Sequence, residues 1–337
     1  MINTNNNLMN DKSTRLNIDF MGKRKIYYII SLTLIALGIL VSLILGVKLD
    51  IQFKGGAIIK YTYTGTVDKN EINSIAAKDL NSTVIVSLAD VKATASKQIV
   101  IELDKTINSK GISDETLQTL FTDISAKYPN NVITKLETNN VDPSLGKQFL
   151  TRSILEVLLA SLLIILYIWI RFRKIGGLPA GITAFISLIH DVIMVFVAFS
   201  IFRIPLNESF IAVTLLVIGY SINDTIVVFD RIRENRTIYG SKMHFKDIVN
   251  KSINQSFVRS INTTVVVFVC ITIVLIFSII FNIDSIRTFA LPMMVGIVTG
   301  CYSTICIAGP LWVTWVERKE RLNPPKGIAK KLAPKKA

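Results

Sequence analysis

Cysteine and histidine are scarce: three and two in a chain of 337 residues. Cys270, Cys301 and Cys306 all fall in strongly apolar stretches. Their spacing fits neither a metal motif nor a disulfide framework, so they read as small buried apolar residues. A Gly-rich phosphate loop is missing, and no nucleophile–base set can be assembled, so nothing supports an enzyme. Acidic residues are few, 24 against 38 Lys and Arg, for a net charge of +14. An even balance of polar and apolar residues is also missing. Half the chain is hydrophobic and mean hydropathy is +0.49, which excludes a soluble protein.

What is present is six long apolar runs, at about 26–46, 154–170, 178–201, 209–229, 261–281 and 288–315. Each approaches the roughly 20 residues that cross a bilayer. Lys23, Arg24 and Lys25 precede the first run, as in a signal peptide, but its core is too long and no small-residue cleavage site follows before Lys48. It reads as a retained helix.

The basic excess invites a nucleic-acid reading, but its distribution argues against one. Residues 1–25, 171–174, 230–260 and 317–337 together hold 23 Lys and Arg against 7 Asp and Glu. On the other side of the runs most cations lie in one domain that also carries 12 acids. That bias is the positive-inside rule and predicts both termini in the cytoplasm. The tail "PPKGIAKKLAPKKA" reads as a solvated segment facing anionic lipid, with ribosomal RNA a less favoured partner.

Between the first two runs, residues 47–149 form a domain expected outside the membrane. "GAIIKYTYTG" from Gly56 reads as a strand, "DKNEINSIAAKDL" from Asp68 as a capped helix with Glu71 completing the box, and "STVIVSLA" and "KQIVIEL" as two strands. "SDETLQTLFTDISAKY" is a second capped helix and "NVITKLET" a last strand. The order β-α-β-β-α-β predicts a small α/β ferredoxin-like domain attached to an α-helical polytopic membrane protein. "VDPSLGKQFL" is the candidate hinge, with Pro143 disfavouring helix before it and Gly146 able to supply flexibility; a tight loop without mechanical role is the alternative. Residues 230–260 are amphipathic, through Phe245, Ile248, Ile253 and Phe257, and are expected to lie along the inner membrane face or to meet a partner.

Polar residues inside the runs are the candidate site. Asn223 and Asp224 interrupt the fourth run. A carboxylate there costs roughly 2.5–3.5 kcal/mol on insertion scales and commonly marks an ion or proton path. At 1.5 Å per residue Asp224 lies roughly 7 Å inside the inner boundary. Arg259, at the start of the antiparallel fifth run, reaches a comparable depth, so an ion pair is expected. A snorkelling Arg259 and a protonated structural Asp224 are the competing readings. His190 and Asp191 sit near mid-depth in the third run. Adjacent helix residues point in different directions, so they need not act together; His190 reads as a structural hydrogen-bonder ahead of a proton relay, while Asp191, an acid at membrane depth, is less easily dismissed.

"VIGYSINDTIVVFDRIREN", followed by "SFVRSINTT", resembles the SecD/SecF family of protein-export membrane proteins. So do "IQFKGGA" with Gly55 and Gly56, "PSLGKQ" with Pro143 and Gly146, and "LIHDV" with His190 and Asp191. The resemblance spans nearly the whole chain. It implies an RND-type half-bundle of six spans that pairs with SecD, and a location in the bacterial cytoplasmic membrane. It implies work beside the SecYEG translocon, with YajC and YidC as further partners, on exported unfolded polypeptide late in secretion. Inward protons would be the coupling ion, no cofactor or metal is implied, and Asp224 and Arg259 would form the proton path. The sequence departs from the family pattern at Gln52, where an acid is usual, and at Asp142, where a Gly is usual. Both lie outside the membrane and bear on coupling. The chain ends soon after the sixth run, as expected of an unfused subunit. A proton-driven small-molecule transporter and a non-conducting scaffold for SecD are the alternatives. The outer domain is too small for the first, and an Asp224 that tolerates neutralisation would favour the second.

Overall fold

A computed structural model describes residues 17–50, 56–82, 84–91, 96–103, 112–141, 143–173, 177–240, 242–281 and 283–322. Six helical segments in it are long and apolar enough to cross a membrane. The first is α1 (Arg24–Leu45). The outer domain follows, as β1 (Gly56–Tyr63), α2 (Lys69–Asp79), β2 (Val84–Val91), β3 (Ser96–Leu103), α3 (Asp114–Lys127) and β4 (Ile133–Val141). The other spans are α4 (Pro143–Arg171), α5 (Gly177–Ile201), α6 (Glu208–Tyr239), α7 (Phe245–Ile280), and a sixth built from α8 (Asp284–Ser303), a π turn (Thr304–Ala308) and α9 (Gly309–Leu322).

The four strands form one antiparallel sheet ordered β2-β3-β1-β4, matching the expected split β-α-β-β-α-β arrangement. Alternate residues Ile59, Tyr61, Val86, Ile99 and Ile101 point into a core shared with Ile72, Leu120 and Ile124 of the two helices. Asp68 caps α2 by accepting from the Asn70 and Glu71 amides at 2.7 and 3.1 Å. Glu71 does not close the expected box. Its carboxylate accepts from the Tyr128 hydroxyl at 2.8 Å and pairs with Lys127, tying α2 to α3 instead. Gly56 opens β1 at φ 145°, a conformation that a side chain would strain.

β4 ends at Val141 and α4 begins at Pro143, in line with Pro143 disfavouring helix before it; Asp142 itself lies outside the described residues. Pro143 occupies a first helical position, where its missing N–H costs nothing, and Gly146 lies within the helix. Gly55 lies outside the described residues.

Residues 230–260 differ from the expectation. They form no separate element along the membrane face: α6 continues to Tyr239 and α7 starts at Phe245. Hydropathy registers only the apolar middle of a helix, whereas backbone hydrogen bonding continues wherever packing supports it. Here Val249 and Ile253 join Phe172, Phe229 and Trp312 in one apolar core at the end of the bundle away from the sheet domain. The segment Ile18–Met21 is built into the same core. Phe20 and Met21 are buried there, and the side-chain amides of Asn250 and Asn254 hold the backbone of Ile18 and Phe20.

A second apolar cluster, including Val195, Phe199, Val213, Val217 and Ile297, fills the outer half. α5 and the sixth span are the most buried of the spans, while α4 and α7 expose most of their surface. The π turn precedes Pro310, whose ring would press on the carbonyl of residue 306 in a regular helix; the wider turn gives it room.

Candidate functional site

Between the two apolar clusters α5, α6, α7 and the π turn bring polar side chains together. Asp191, on α5, has no exposed surface. Its Oδ2 accepts hydrogen bonds from Ser221 of α6 at 2.7 Å and from Ser303 at the end of α8 at 2.8 Å. Its Oδ1 lies 3.1 Å from His190 Nδ1, so these neighbours meet even though adjacent helix positions point in different directions. A short carboxylate and an imidazole turned toward it bridge the 100° between adjacent positions. His190 Nε2 is buried without a partner among the described residues, and its ring stands 6.1 Å from that of Tyr302. The Tyr302 hydroxyl donates to the Tyr27 carbonyl at 2.8 Å and accepts from Ser31, which links this cluster to α1.

Asp224 lies one helical turn from Ser221, in a different setting. It is 9% exposed. Oδ1 accepts from Ser260 of α7 at 2.5 Å, while Oδ2 is buried with no hydrogen-bond partner among the described residues. Ser260 and Thr264 share one α7 face. The Thr264 hydroxyl accepts from Tyr220 at 2.9 Å, so α6 and α7 are joined by two polar contacts one turn apart. Thr225 completes the layer by contacting Thr304 of the π turn at 2.9 Å.

The sixth span can come this close because Gly300 faces Ser221: a Cβ there would lie 3.2 Å from the serine Cβ. The π turn begins directly after Ser303, so the polar ligands of α5 and α6 come from the place where the sixth span leaves regular geometry.

The expected ion pair between Asp224 and Arg259 is not formed. Among the described residues no ion pair joins them, and Arg259 is exposed. The adjacent Ser260 faces inward instead, because one residue along a helix turns the side chain by 100°. Asn223 is likewise exposed, on the side of α6 away from the cluster. The sequence reading identified both aspartates but gave no role to Ser260, Ser303 or Thr304. The available signal was the repetition of Ser or Thr four residues apart, at Ser221/Thr225 and Ser260/Thr264, which places hydroxyls along one helix face.

Among the described residues no group of three His, Cys, Asp or Glu is placed to hold a metal ion. Cys301 and Cys306 are buried as expected, whereas Cys270 is exposed. The chemistry available to the layer is therefore proton acceptance and hydrogen-bond exchange by two carboxylates and one imidazole, in surroundings that exclude most water.

The family described as "Protein export membrane protein SecD/SecF, C-terminal" matches residues 121–318. Protein translocase subunit SecF of Calditerrivibrio nitroreducens is 33% identical over 300 residues, covering 88% of this chain and 93% of that relative. Protein translocase subunit SecDF of Bacillus subtilis is 33% identical over 89% of this chain and 38% of its own length. The crystal structure of SecDF from Thermus thermophilus, a translocon-associated membrane protein, superimposes with a TM-score of 0.73 at 26% identity over 90% of this chain. SecDF in its super-membrane-facing form gives 0.64 over 92%. The chain spans 40% of the length of that SecDF chain and 39% of the Thermus one. With its six apolar helices, one small outer sheet and these relatives, the chain is a multi-pass membrane protein and belongs to the SecD/SecF family of protein-export membrane proteins.

Proposed function

We propose that the protein is a SecF-type accessory subunit of the Sec translocase that draws on the proton motive force, together with SecD, to promote late steps of export. It sits in the bacterial cytoplasmic membrane with both termini inside and the sheet domain outside. SecYEG, YajC and YidC are its neighbours, and unfolded polypeptide is the cargo. No cofactor takes part, and no reaction is catalysed.

The observation that carries this reading is Asp224: a buried carboxylate with one oxygen on Ser260 and the other without a partner among the described residues. Ionised, it accepts the Ser260 hydroxyl. Protonated, it gains a donor that must find a new acceptor, and the α6–α7 contact changes with it. One charge moved through 100 mV is worth roughly 2.3 kcal/mol, comparable to rearranging a few packed contacts. Exposed Arg259 and Asn223 flank the same helix pair, which suits a surface turned toward the SecD half. Arg259 can then act on Asp224 from a hydrated path without being its resting partner. Asp191 is already satisfied by three groups and supports the layer.

The test is export into inverted vesicles holding SecD and SecYEG, with and without a proton gradient. Asp224→Asn keeps size and hydrogen bonding while removing the titratable charge. The expected result is loss of gradient-stimulated export with SecD assembly intact. Ser260→Ala weakens the stimulation and Ser260→Thr restores it. Unchanged gradient dependence in Asp224→Asn assigns the protein a scaffold role, with the proton path elsewhere.

A further inference from the structure

The inner end of the sixth span carries a feature with no part in the proton layer. On α9, Leu311, Thr314, Trp315, Arg318, Lys319 and Leu322 follow one another at three- and four-residue steps, so they share one stripe. With Thr183 and Ile186 of α5 they enclose a cleft of about 450 Å³. Its walls are apolar in effect. The Thr183 hydroxyl donates to the Pro179 and Ala180 carbonyls and that of Thr314 to the Pro310 carbonyl, so neither is offered to the cleft.

The stripe changes character along its length. Leu311 to Trp315 is apolar, and one turn further Arg318 and Lys319 are exposed. Among the described residues neither cation has an acidic partner. Glu317 is held by Arg24 of α1 at 2.8 Å, and Glu320 is adjacent to Lys319, a spacing at which helix side chains do not face one another. Trp315 is 41% exposed at the boundary between the two halves, where aromatic residues mark a membrane interface. An apolar slot ending in two free cations, at the end of a membrane-crossing helix, matches a molecule with a hydrocarbon chain and an anionic head.

We infer that this cleft binds an anionic phospholipid, its acyl chain lying between α5 and α9 and its phosphate met by Arg318 and Lys319. The inference rests on the chain being a membrane protein and not on the proton reading. The chain's own tail, residues 323–337, is the competing occupant. Its five lysines would meet Arg318 and Lys319 with like charge, which disfavours it.

The experiment uses the purified full chain, delipidated in neutral detergent. Phosphatidylglycerol or phosphatidylcholine of identical acyl chains is titrated in and bound lipid is read by native mass spectrometry. The wild type is expected to prefer phosphatidylglycerol. A cation near a membrane surface is worth roughly fivefold in anionic-lipid affinity, so R318Q/K319Q should remove most of that preference and leave phosphatidylcholine unchanged. Ile186→Trp fills the slot from a half-exposed position and should weaken both lipids at least threefold; Leu311→Trp serves if the first filler does not fold. Soluble glycerol phosphate should not compete. The inference is overturned if the preference for phosphatidylglycerol survives the charge variant or if neither filler weakens binding. Loss of binding only on removal of residues 323–337 overturns it in favour of the tail, and full competition by glycerol phosphate overturns it in favour of a plain phosphate site.

Discussion

Two aspartates on neighbouring helices show how far local surroundings separate like residues. Asp191 has three hydrogen-bonding neighbours and no exposed surface, whereas Asp224 has one and a small opening. At Asp191 both oxygens already hold a hydrogen-bonding group, whereas at Asp224 one oxygen has no partner among the described residues. A third carboxylate, Asp79 at the C-terminal end of α2, lies outside the membrane and lends itself to measurement. Burial holds its carboxyl above the usual range, nearby Asp123 adds to this, and Lys78 opposes it. Its folded pKa therefore exceeds its unfolded one, and the native domain binds more protons between the two values. Stability is then highest below the unfolded value of about 3.8 and falls as pH rises through the folded value. Asp79→Asn should flatten that slope. It should also raise stability at pH 7 by about 0.5 kcal/mol or more, since it removes a negative charge from a helix C-terminus. Urea unfolding of residues 47–149 between pH 3 and 7 checks this, and a slope unchanged by the substitution would assign it to another group.

Helix pairs are set by where side chains are missing as much as by where they are present. A Cβ on Gly296 of α8 would lie 2.3 Å from Val217 of α6, and one on Gly38 of α1 would lie 2.5 Å from Val197 of α5. Gly219 of α6 has nothing within 4 Å of that point. Gly296→Val is expected to cost roughly 1–3 kcal/mol by overpacking and to lower the thermal unfolding midpoint, while Gly219→Ala leaves it within error. Equal effects would mean that helix propensity and not close approach decides these positions. At this scale much was legible. All six spans, both outer helices and all four strands follow from periodicity and capping. What periodicity missed were ends: the polar extensions of α6 and α7.

The whole molecule joins an outer sheet to an inner layer of carboxylates through few connections. β4 ends at Val141 and α4 begins at Pro143, and the segment after α1 is held to the end of the bundle nearest the sheet. There Leu49 forms a parallel bridge with Leu206, the Asp50 amide donates to the Leu206 carbonyl at 3.0 Å, and Arg203 donates to the Leu45 and Gly46 carbonyls that end α1. A cation at these last carbonyls satisfies acceptors the helix itself cannot. Arg203→Gln should free residues 46–50, raising their amide exchange by about tenfold for a loss near 1.4 kcal/mol, with the sheet's own exchange unchanged. It should also weaken gradient-driven export if that anchor transmits movement. Export unaffected despite faster exchange would show that this anchor does not transmit movement.

Composition and order by themselves determined the membrane class, the number of spans, the βαββαβ order of the outer domain and the position of each buried carboxylate along its helix. These depend on hydrophobicity and on rise per residue, which are local quantities. Only the tertiary structure decided direction around each helix. It turned Ser260 and not Arg259 toward Asp224, put Asn223 on the outside, and collected Ser221 and Ser303 around Asp191. Rotation about a helix axis is set by packing against neighbours distant in sequence, and a shift of one residue, 100°, exchanges a buried partner for an exposed one.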